Sequence, residues 1–288
     1  MLRSIVVALD GSDSSVEAGL VALELGKRHG ARVEGLGIVN SAWIQRPEPV
    51  PIGGMAYKRA LDLQLLKTAS DRVSAVLTAF GERAKEEGFT AFDTKKVDGD
   101  PRIQIEFEAT VHDLVVVGRG SLFDVGGELF DMPLCIDQVI RGEPRPVILV
   151  PPAKRGQPGE DLAAPVLIAF DGSPAASRTL HMFALLGLAV DREIHVLTVD
   201  NSSKDVAVAT ATRACDLLRR HGATQTHGVG LGDRQAGSPA EAILGTAEAL
   251  GAGMIAMGAY GHRGIREIFG SCTRTVLENS SSLLFLYH

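Results

Sequence analysis

The residues best suited to chemistry in this sequence are glycines and a serine that follow an apolar run near residue 258. Gly258 ends the run, Gly261 follows after two residues, and Gly270 and Ser271 come after eight more. Glycine lets a ligand approach the main chain closely, and the free N–H groups at a helix N-terminus bind phosphate. The spacing therefore predicts a phosphate site that ends where a helix begins, over residues 272–279.

An aspartate follows an earlier apolar run, in the sequence Asp171-Gly172-Ser173. In open α/β sheets, ligands bind at the carboxyl ends of the strands beside a topological switch point. A carboxylate there can accept hydrogen bonds from a ribose hydroxyl or help to orient a cation–phosphate group. The same three residues also suit a turn and a helix N-cap. The two roles are compatible, and the downstream glycines favour ligand binding for Asp171.

The sequence contains an internal duplication that holds these residues in its second half. Three landmarks recur in the same order, residues 5–12 as 166–173, 99–101 as 237–239 and 114–118 as 254–258. Each half alternates short apolar runs with longer amphipathic stretches, which predicts strands buried on both faces of a parallel sheet with helices between them. The predicted fold class is α/β, with two doubly wound five-stranded parallel-sheet domains in tandem.

The individual elements follow from the same pattern. The apolar runs predict strands at 4–9, 33–39, 90–97, 114–117, 146–150, 166–170, 194–199, 224–229, 254–257 and 283–286. Helices are expected over 14–29, 57–87, 175–188 and 202–221. Pro101 and Pro239 stand where a first-turn proline would open the third helix of each half.

The two halves are separated by residues 151–161, which are rich in Pro, Gly and charge and show no apolar period. This composition indicates a linker between domains at 1–153 and 164–288. The first half is longer than the second between its landmarks, and the additional residues include 40–56. A segment of this kind is a lid, a partner contact or simple disorder, and the last interpretation is preferred.

The first half keeps Asp10 and Gly118 but lacks the rest of the glycine pattern. Where the second half has Gly270 and Ser271, the first has Asp131, followed two residues later by Pro133. A carboxylate at that helix start repels phosphate and caps the helix itself, and proline removes a main-chain N–H donor. We interpret the first half as a copy that has kept the fold and lost the nucleotide.

The composition excludes several classes of protein. With 45% hydrophobic and 22% charged residues, the chain is expected to be globular. A net charge of -6 argues against nucleic-acid binding. No run approaches 18 apolar residues and no signal-peptide pattern is present, so we expect no membrane contact and a cytoplasmic location. Cys135, Cys215 and Cys272 are odd in number and far apart, which favours reduced thiols.

The Asp-Gly-Ser openings, the Gly-x-Pro turns and the strand-ending glycines together resemble the universal stress proteins. The resemblance covers both halves, so the chain is similar to a tandem member of that family. It implies a strand order of 3-2-1-4-5 in each half and antiparallel pairing of the two fifth strands. Family members that bind ATP show Gly-x-x-Gly, usually nine residues, and then Gly-Ser or Gly-Thr; the loop here has eight residues.

The resemblance also implies a ligand and its contacts. The ligand is ATP, with or without Mg²⁺. Asp171 corresponds to the aspartate on the ribose and phosphate side, and Val199 to the main-chain contact with adenine. The remaining site residues are Gly258, Gly261, Gly270 and Ser271. Other expected partners are a second copy of the chain or another protein.

The expected function is that of a stress-response nucleotide-binding protein in which ATP is a regulatory or structural ligand. Two alternatives stay open, an interaction or scaffold protein without nucleotide and a slow ATPase. A nucleotidyl transferase would need a His-x-x-His motif beside the first strand, where Asp10 or Asp171 stands instead. No paired carboxylates or metal-ligand spacings are recognisable in the sequence. At most, weak ATP hydrolysis is expected.

Overall fold

The computed structural model describes residues 1–121, 123, 145–152, 158–200, 202–232, 237–259 and 271–288. Its strands are β1 (Ser4–Leu9), β2 (Arg32–Val39), β3 (Phe92–Asp98), β4 (Leu114–Gly118), β5 (Val147–Val150), β6 (Val166–Ala169), β7 (Glu193–Asp200), β8 (Gln225–Gly232), β9 (Met254–Gly258) and β10 (Leu283–Tyr287). Its described helices are α1 (Asp13–His29), α2 (Ser41–Ile44), α3 (Met55–Glu86), α4 (Pro101–Ala109), α5 (Pro158–Ala163), α6 (Pro174–Leu185), α7 (Lys204–Arg220), α8 (Pro239–Leu250) and α9 (Ser271–Asn279). Each predicted strand is present, with ends that differ by at most three residues.

All ten strands form one sheet, in the order β3-β2-β1-β4-β5-β10-β9-β6-β7-β8. Within each half the strands are parallel and their order is 3-2-1-4-5, as the resemblance implied. The fifth strands, β5 and β10, pair antiparallel, with Phe285 opposite Ile148. The fold class is therefore confirmed, and the two domains share a continuous mixed sheet.

The two faces of the sheet carry separate layers of the hydrophobic core. Ile5 and Val7 of β1 point into one layer, together with Phe183 and Phe285. The alternate residue Val6 belongs to the other layer. This alternation is the period of two expected for a strand, and it buries the central strands on both sides.

The edge strands depart from this pattern. In β3, the exposed residues include Asp93 and Lys96, and in β8 they include His227. The prediction that every run is buried on both faces is therefore wrong for β3 and β8. In the observed order these two strands lie at the ends of the sheet, where each has a neighbour on one side only.

Capping groups fix where the helices begin. Ser12 and Ser173 cap α1 and α6, and each side chain accepts a hydrogen bond from the N–H three residues later. Gly172, before Ser173, has φ +76°, a left-handed conformation that favours glycine. Pro101 and Pro239 open α4 and α8 as predicted. The Asp-Gly-Ser openings thus serve as caps, whatever else they do.

The predicted linker contains a helix in its second part. Residues 153–157 lie outside the described residues, but Pro158–Ala163 form the helix α5. Leu162 on this helix is buried, and its carbonyl accepts a hydrogen bond of 2.7 Å from Arg28 Nη1 on α1. One buried leucine in six residues leaves no recognisable period, which is why the sequence indicated a linker.

The sequence indicated a loop without secondary structure over 40–56. Part of the additional length of the first half is instead ordered. Ser41–Ile44 form α2, capped by Asn40. α3 then begins at Met55 and is 32 residues long, against 17 for its counterpart α7. Much of the extra length is therefore helical.

The described cysteines are both free, with Cys215 buried and Cys272 partly buried. Cys135 lies outside the described residues. A helix long and apolar enough to span a bilayer is not found in the described part of the chain.

Replacement of Phe285 should destabilise both halves because β10 connects them. The Phe285 ring is fully buried and meets Phe183 edge to face at a centroid distance of 5.2 Å. We expect Phe285→Ala to lower the free energy of unfolding by about 3–5 kcal/mol, measured by urea denaturation. Phe107→Ala, at a position that is 66% exposed, is the control. A loss below about 1 kcal/mol would contradict a central role for β10.

Candidate functional site

A cavity of about 250 Å³ opens where β6, β7 and β9 end. β6 lies between β7 and β9, so the chain leaves β6 toward one side and returns on the other. This is the topological switch point at which α/β folds bind ligands. The residues lining the cavity are mostly apolar and comprise Ala169, Phe170, Asp171, Ser173, Ala176, Leu197, Val199, Pro239, Ile243, Met257, Gly258, Cys272 and Thr273.

Asp171 lines this cavity, and the described residues use little of its hydrogen-bonding capacity. One oxygen, Oδ1, accepts a bond of 2.9 Å from the N–H of Ser173. Among the described residues no donor reaches the other oxygen, Oδ2. A carboxylate can accept about four hydrogen bonds, so Asp171 is free to accept bonds from a ligand hydroxyl while it shapes the turn.

Val199 lies two residues beyond the last pairing of β7 with β6, which ends at Leu197. The carbonyl of Leu197 accepts a 2.9 Å bond from the N–H of Phe170. In a parallel ladder, residues i and i+2 direct their main-chain groups toward the same neighbour. The N–H and C=O of Val199 therefore face the side on which β6 has ended, next to the cavity.

Gly258 ends β9 at the cavity wall, but its lack of a side chain already has a structural explanation. A Cβ atom built there would lie 3.1 Å from the main chain of Ala175 and Ala176 at the start of α6. The glycine thus allows α6 to pack closely on β9. Close approach by a ligand is compatible with this packing but is not needed to explain the residue.

The helix α9 begins beside the cavity. Ser271 is its first residue and is exposed, while Cys272 and Thr273 line the cavity wall. The unpaired N–H groups of a first turn and the helix dipole favour an anion at this end. Of the six predicted site residues, Gly261 and Gly270 lie outside the described residues.

Burial and, to a lesser degree, the negative charge of Asp171 raise the pKa of the Cys272 thiol. The thiol therefore stays protonated at neutral pH and contributes to an apolar wall. The reduced thiol that the sequence indicated for Cys272 fits this environment. The sequence did not place Cys272 at the site, because α9 turns it toward the cavity only in the folded chain.

The equivalent position in the first half is filled by the chain itself. Asp10 Oδ1 accepts bonds from Ser12, at 2.6 Å from the hydroxyl and 2.9 Å from the N–H. Its Oδ2 accepts a bond of 3.2 Å from the N–H of Phe123. The Phe123 side chain is buried in the core layer that includes Ala8 and Ile38, near the carboxyl ends of β1 and β2.

The sequence did not single out Phe123 as a residue that makes the site of the first half different. Its φ of +44° is unusual for an aromatic residue. The predicted obstacles, Asp131 and Pro133, lie outside the described residues, as do residues 126–127. The described part of the first half thus supplies another reason why this site differs from the second, namely that Phe123 satisfies Asp10.

The hydrogen bonds to Asp10 also alter its titration. Burial acts to raise the pKa of Asp10, but the bonds from Ser12 and Phe123 together outweigh it, so the pKa is below its ordinary value. The charged form is therefore favoured by folding. This carboxylate is a structural anion held by its own chain.

Comparison with known proteins gives one consistent result. The universal stress protein family matches residues 1–151 and 164–285. Universal stress protein Slr1230 of Synechocystis is 25% identical over 97% of this chain and 98% of its own length. A universal stress protein from Archaeoglobus fulgidus has the same fold, with a TM-score of 0.63, 18% identity and coverage of 99% of this chain and 95% of that one. A putative universal stress protein from Pseudomonas aeruginosa has a TM-score of 0.60 at 16% identity and covers 99% and 92%.

Replacement of Asp10 should lower the stability of the fold more than replacement of Asp171. Because the pKa of Asp10 is lowered by folding, its contribution is complete above the ordinary pKa of about 4 and is lost as the pH falls through the lowered value. We expect Asp10→Asn to reduce stability at pH 7 by about 1–3 kcal/mol, and this difference should shrink at pH values below about 4. Urea denaturation at several pH values measures it.

The control is Asp171→Asn, which disturbs a single described N–H bond. It should reduce stability by less than about 1 kcal/mol. An equal loss of unfolding free energy in the two variants would show that Asp10 is not held more firmly than Asp171.

Proposed function

This chain belongs to the universal stress protein family, and we propose that its second half binds one ATP per chain as a regulatory or structural ligand. The observation that supports this most directly is the unused oxygen of Asp171 beside an apolar cavity at the switch point. Ligand sites of this kind combine apolar walls with a few polar groups that fix orientation. In this proposal, bound nucleotide regulates or stabilises the protein in the stress-response role of the family.

The apolar walls suit the adenine base. Leu197, Ile243 and Met257 line the cavity with aliphatic side chains against which a planar ring can pack. The main-chain N–H and C=O of Val199 face the same space, and they match the donor and acceptor on the edge of an adenine. A volume of about 250 Å³ is somewhat below the range of about 300–1,000 Å³ for pockets that enclose whole ligands. The base therefore fits inside and the phosphates extend outward.

The start of α9 suits the phosphates. Cys272 and Thr273, in its first turn, lie at the cavity wall, so an anion that leaves the cavity meets the positive end of the helix dipole. The glycines Gly261 and Gly270 belong to this part of the proposal on the strength of their spacing. Asp171 Oδ2 would accept bonds from ribose hydroxyls or from the water of a hydrated Mg²⁺.

The stoichiometry of one follows from the state of the first half. Asp10 has donors on both oxygens, and one of them is the N–H of Phe123. A ligand at this position would have to displace those bonds and the buried Phe123 ring. The second half presents no such obstacle in the residues that the structure describes.

A second candidate function is protein interaction, and the long insertion of the first half favours it. Large apolar side chains are exposed on this insertion and on the beginning of α3, at Ile52, Met55, Tyr57, Leu61 and Leu63. Exposed apolar surface is characteristic of interaction sites when it is extensive. Contact with a second copy or another protein through this segment is compatible with ATP binding in the other half.

Calorimetric titration tests both the ligand and its location. We expect one equivalent of ATP per chain and a higher melting temperature in its presence, because a ligand that binds the native state stabilises it. Asp171→Ala should weaken binding at least about tenfold, which corresponds to about 1.4 kcal/mol. The matched variant Asp10→Ala should leave the affinity unchanged. Two equivalents would contradict our interpretation of the first half, and none at millimolar ATP would favour the interaction protein.

Gly270→Asp tests the phosphate end of the site. This change copies Asp131 of the first half to the corresponding position of the second. Because a carboxylate repels phosphate and competes for the helix N-terminus, we expect ATP binding to be lost while the circular dichroism spectrum stays unchanged. Equilibrium dialysis with labelled ATP measures the affinity, and wild-type affinity in the variant would refute the assigned site.

A further inference from the structure

Two histidines and a glutamate come together on the outer strands of the second half, away from the nucleotide cavity. The parallel register of β7 and β8 places His195 directly opposite His227. Glu193 precedes His195 by two residues and so lies on the same face of the sheet. Its Oε1 is 3.0 Å from His195 Nε2 and 3.5 Å from His227 Nε2.

The spacing of these three atoms matches the ligands of a metal ion. All three lie within 4.8 Å of one another. A zinc ion with bonds of about 2.1 Å in tetrahedral geometry holds its ligand atoms roughly 3.4 Å apart. The two imidazole rings stack at a centroid distance of 4.8 Å with 24° between their planes, so small rotations bring both Nε2 atoms to one point.

The solvent exposure and the charge of the three side chains allow a cation to bind. The side chains of Glu193 and His227 are 43% and 54% exposed, whereas His195 is 12% exposed and fixed in the sheet. In the part of the chain that the structure describes, no lysine or arginine forms an ion pair with Glu193. Its negative charge is therefore available to a cation, and solvent has access to the remaining coordination positions.

The first half has an ion pair at the place in the fold that corresponds to this cluster. By the matching registers, Glu193 corresponds to Arg32 and His227 to Asp93. Arg32 and Asp93 form an ordinary ion pair between the two outer strands, with 2.5 Å between Nη2 and Oδ2. His195 corresponds to Glu34 in the same registers. The second half therefore has an acid and two histidines where the first half has an arginine and two acids, and all three of its groups can ligate a metal.

We propose that Glu193, His195 and His227 form a binding site for a divalent transition-metal ion of the zinc type. Imidazole nitrogens suit Zn²⁺, Ni²⁺ and Cu²⁺, and a carboxylate completes a set of three protein ligands with water in the open position. The bound ion ties the edge strand β8 to β7. The site lies at the N-terminal end of β7, whereas the nucleotide cavity lies at its carboxyl end, so it does not depend on ATP binding.

Titration of the tag-free full chain with ZnCl₂ tests the proposal. We expect a site that binds one equivalent of Zn²⁺ and raises the melting temperature. His227→Ala and Glu193→Gln should each weaken this site at least about tenfold. His227 is exposed, so its replacement should leave the fold intact, which circular dichroism checks. His181→Ala is the matched control, because His181 is an exposed histidine of the same half that bonds only to the carbonyl of Ser177 within the described residues.

Co²⁺ used as a spectroscopic probe distinguishes this cluster from the cysteines. Binding to Glu193 and the two histidines should give visible d–d bands without a thiolate charge-transfer band, and His227→Ala should remove them. Wild-type affinity for Zn²⁺ in both His227→Ala and Glu193→Gln would overturn the proposal. A thiolate charge-transfer band with Co²⁺, or no metal binding by the wild type, would also overturn the proposal.

Discussion

The antiparallel pairing of β5 with β10 is the contact on which the rest of the architecture depends. It joins two parallel five-stranded sheets into one and buries Phe285 at the junction. Because β10 runs opposite to β5, every strand of the second half runs opposite to those of the first. The carboxyl ends of the two halves therefore lie at opposite edges of the same sheet. A ligand at one switch point cannot contact the other, so each half can gain or lose a site without constraint from its copy.

Equivalent aspartates in the two halves have different hydrogen-bond partners among the described residues. Asp10 and Asp171 occupy equivalent turns, and in both turns the following serine caps the next helix. The partner of Asp10 comes from the chain that follows β4. In the first half Phe123 adopts a left-handed conformation, which costs of the order of 1–3 kcal/mol. It is held there by burial of its ring and by the bond from its N–H to Asp10. The aspartate that accepts this bond has become part of the scaffold.

The sequence predicted the strands well because nearly every strand is a run of apolar residues, and the central ones are covered on both sides. It failed where a single residue decides the structure. In α5, Leu162 is buried, and a single buried leucine leaves no apolar period in the sequence. Phe123 fills the first site through a backbone conformation that no composition rule indicates. At the candidate site, Asp171 and Gly258 were recognisable from local motifs, whereas Ile243 and Thr273 line the cavity only because α8 and α9 pack against the sheet.

The duplicated halves differ in the side chains that connect their outer strands. An edge strand has hydrogen-bonded neighbours on one side only, so side-chain pairs across β2–β3 and β7–β8 contribute noticeably to holding it. The Arg32–Asp93 ion pair does this in the first half and the Glu193–histidine cluster does it in the second. Arg32, Asp93, Glu193 and His227 are all partly open to solvent, so many pairs of residue types can connect the strands at these positions. The buried strands hold mostly apolar residues, which is why the recognisable repeats are apolar runs and glycine turns.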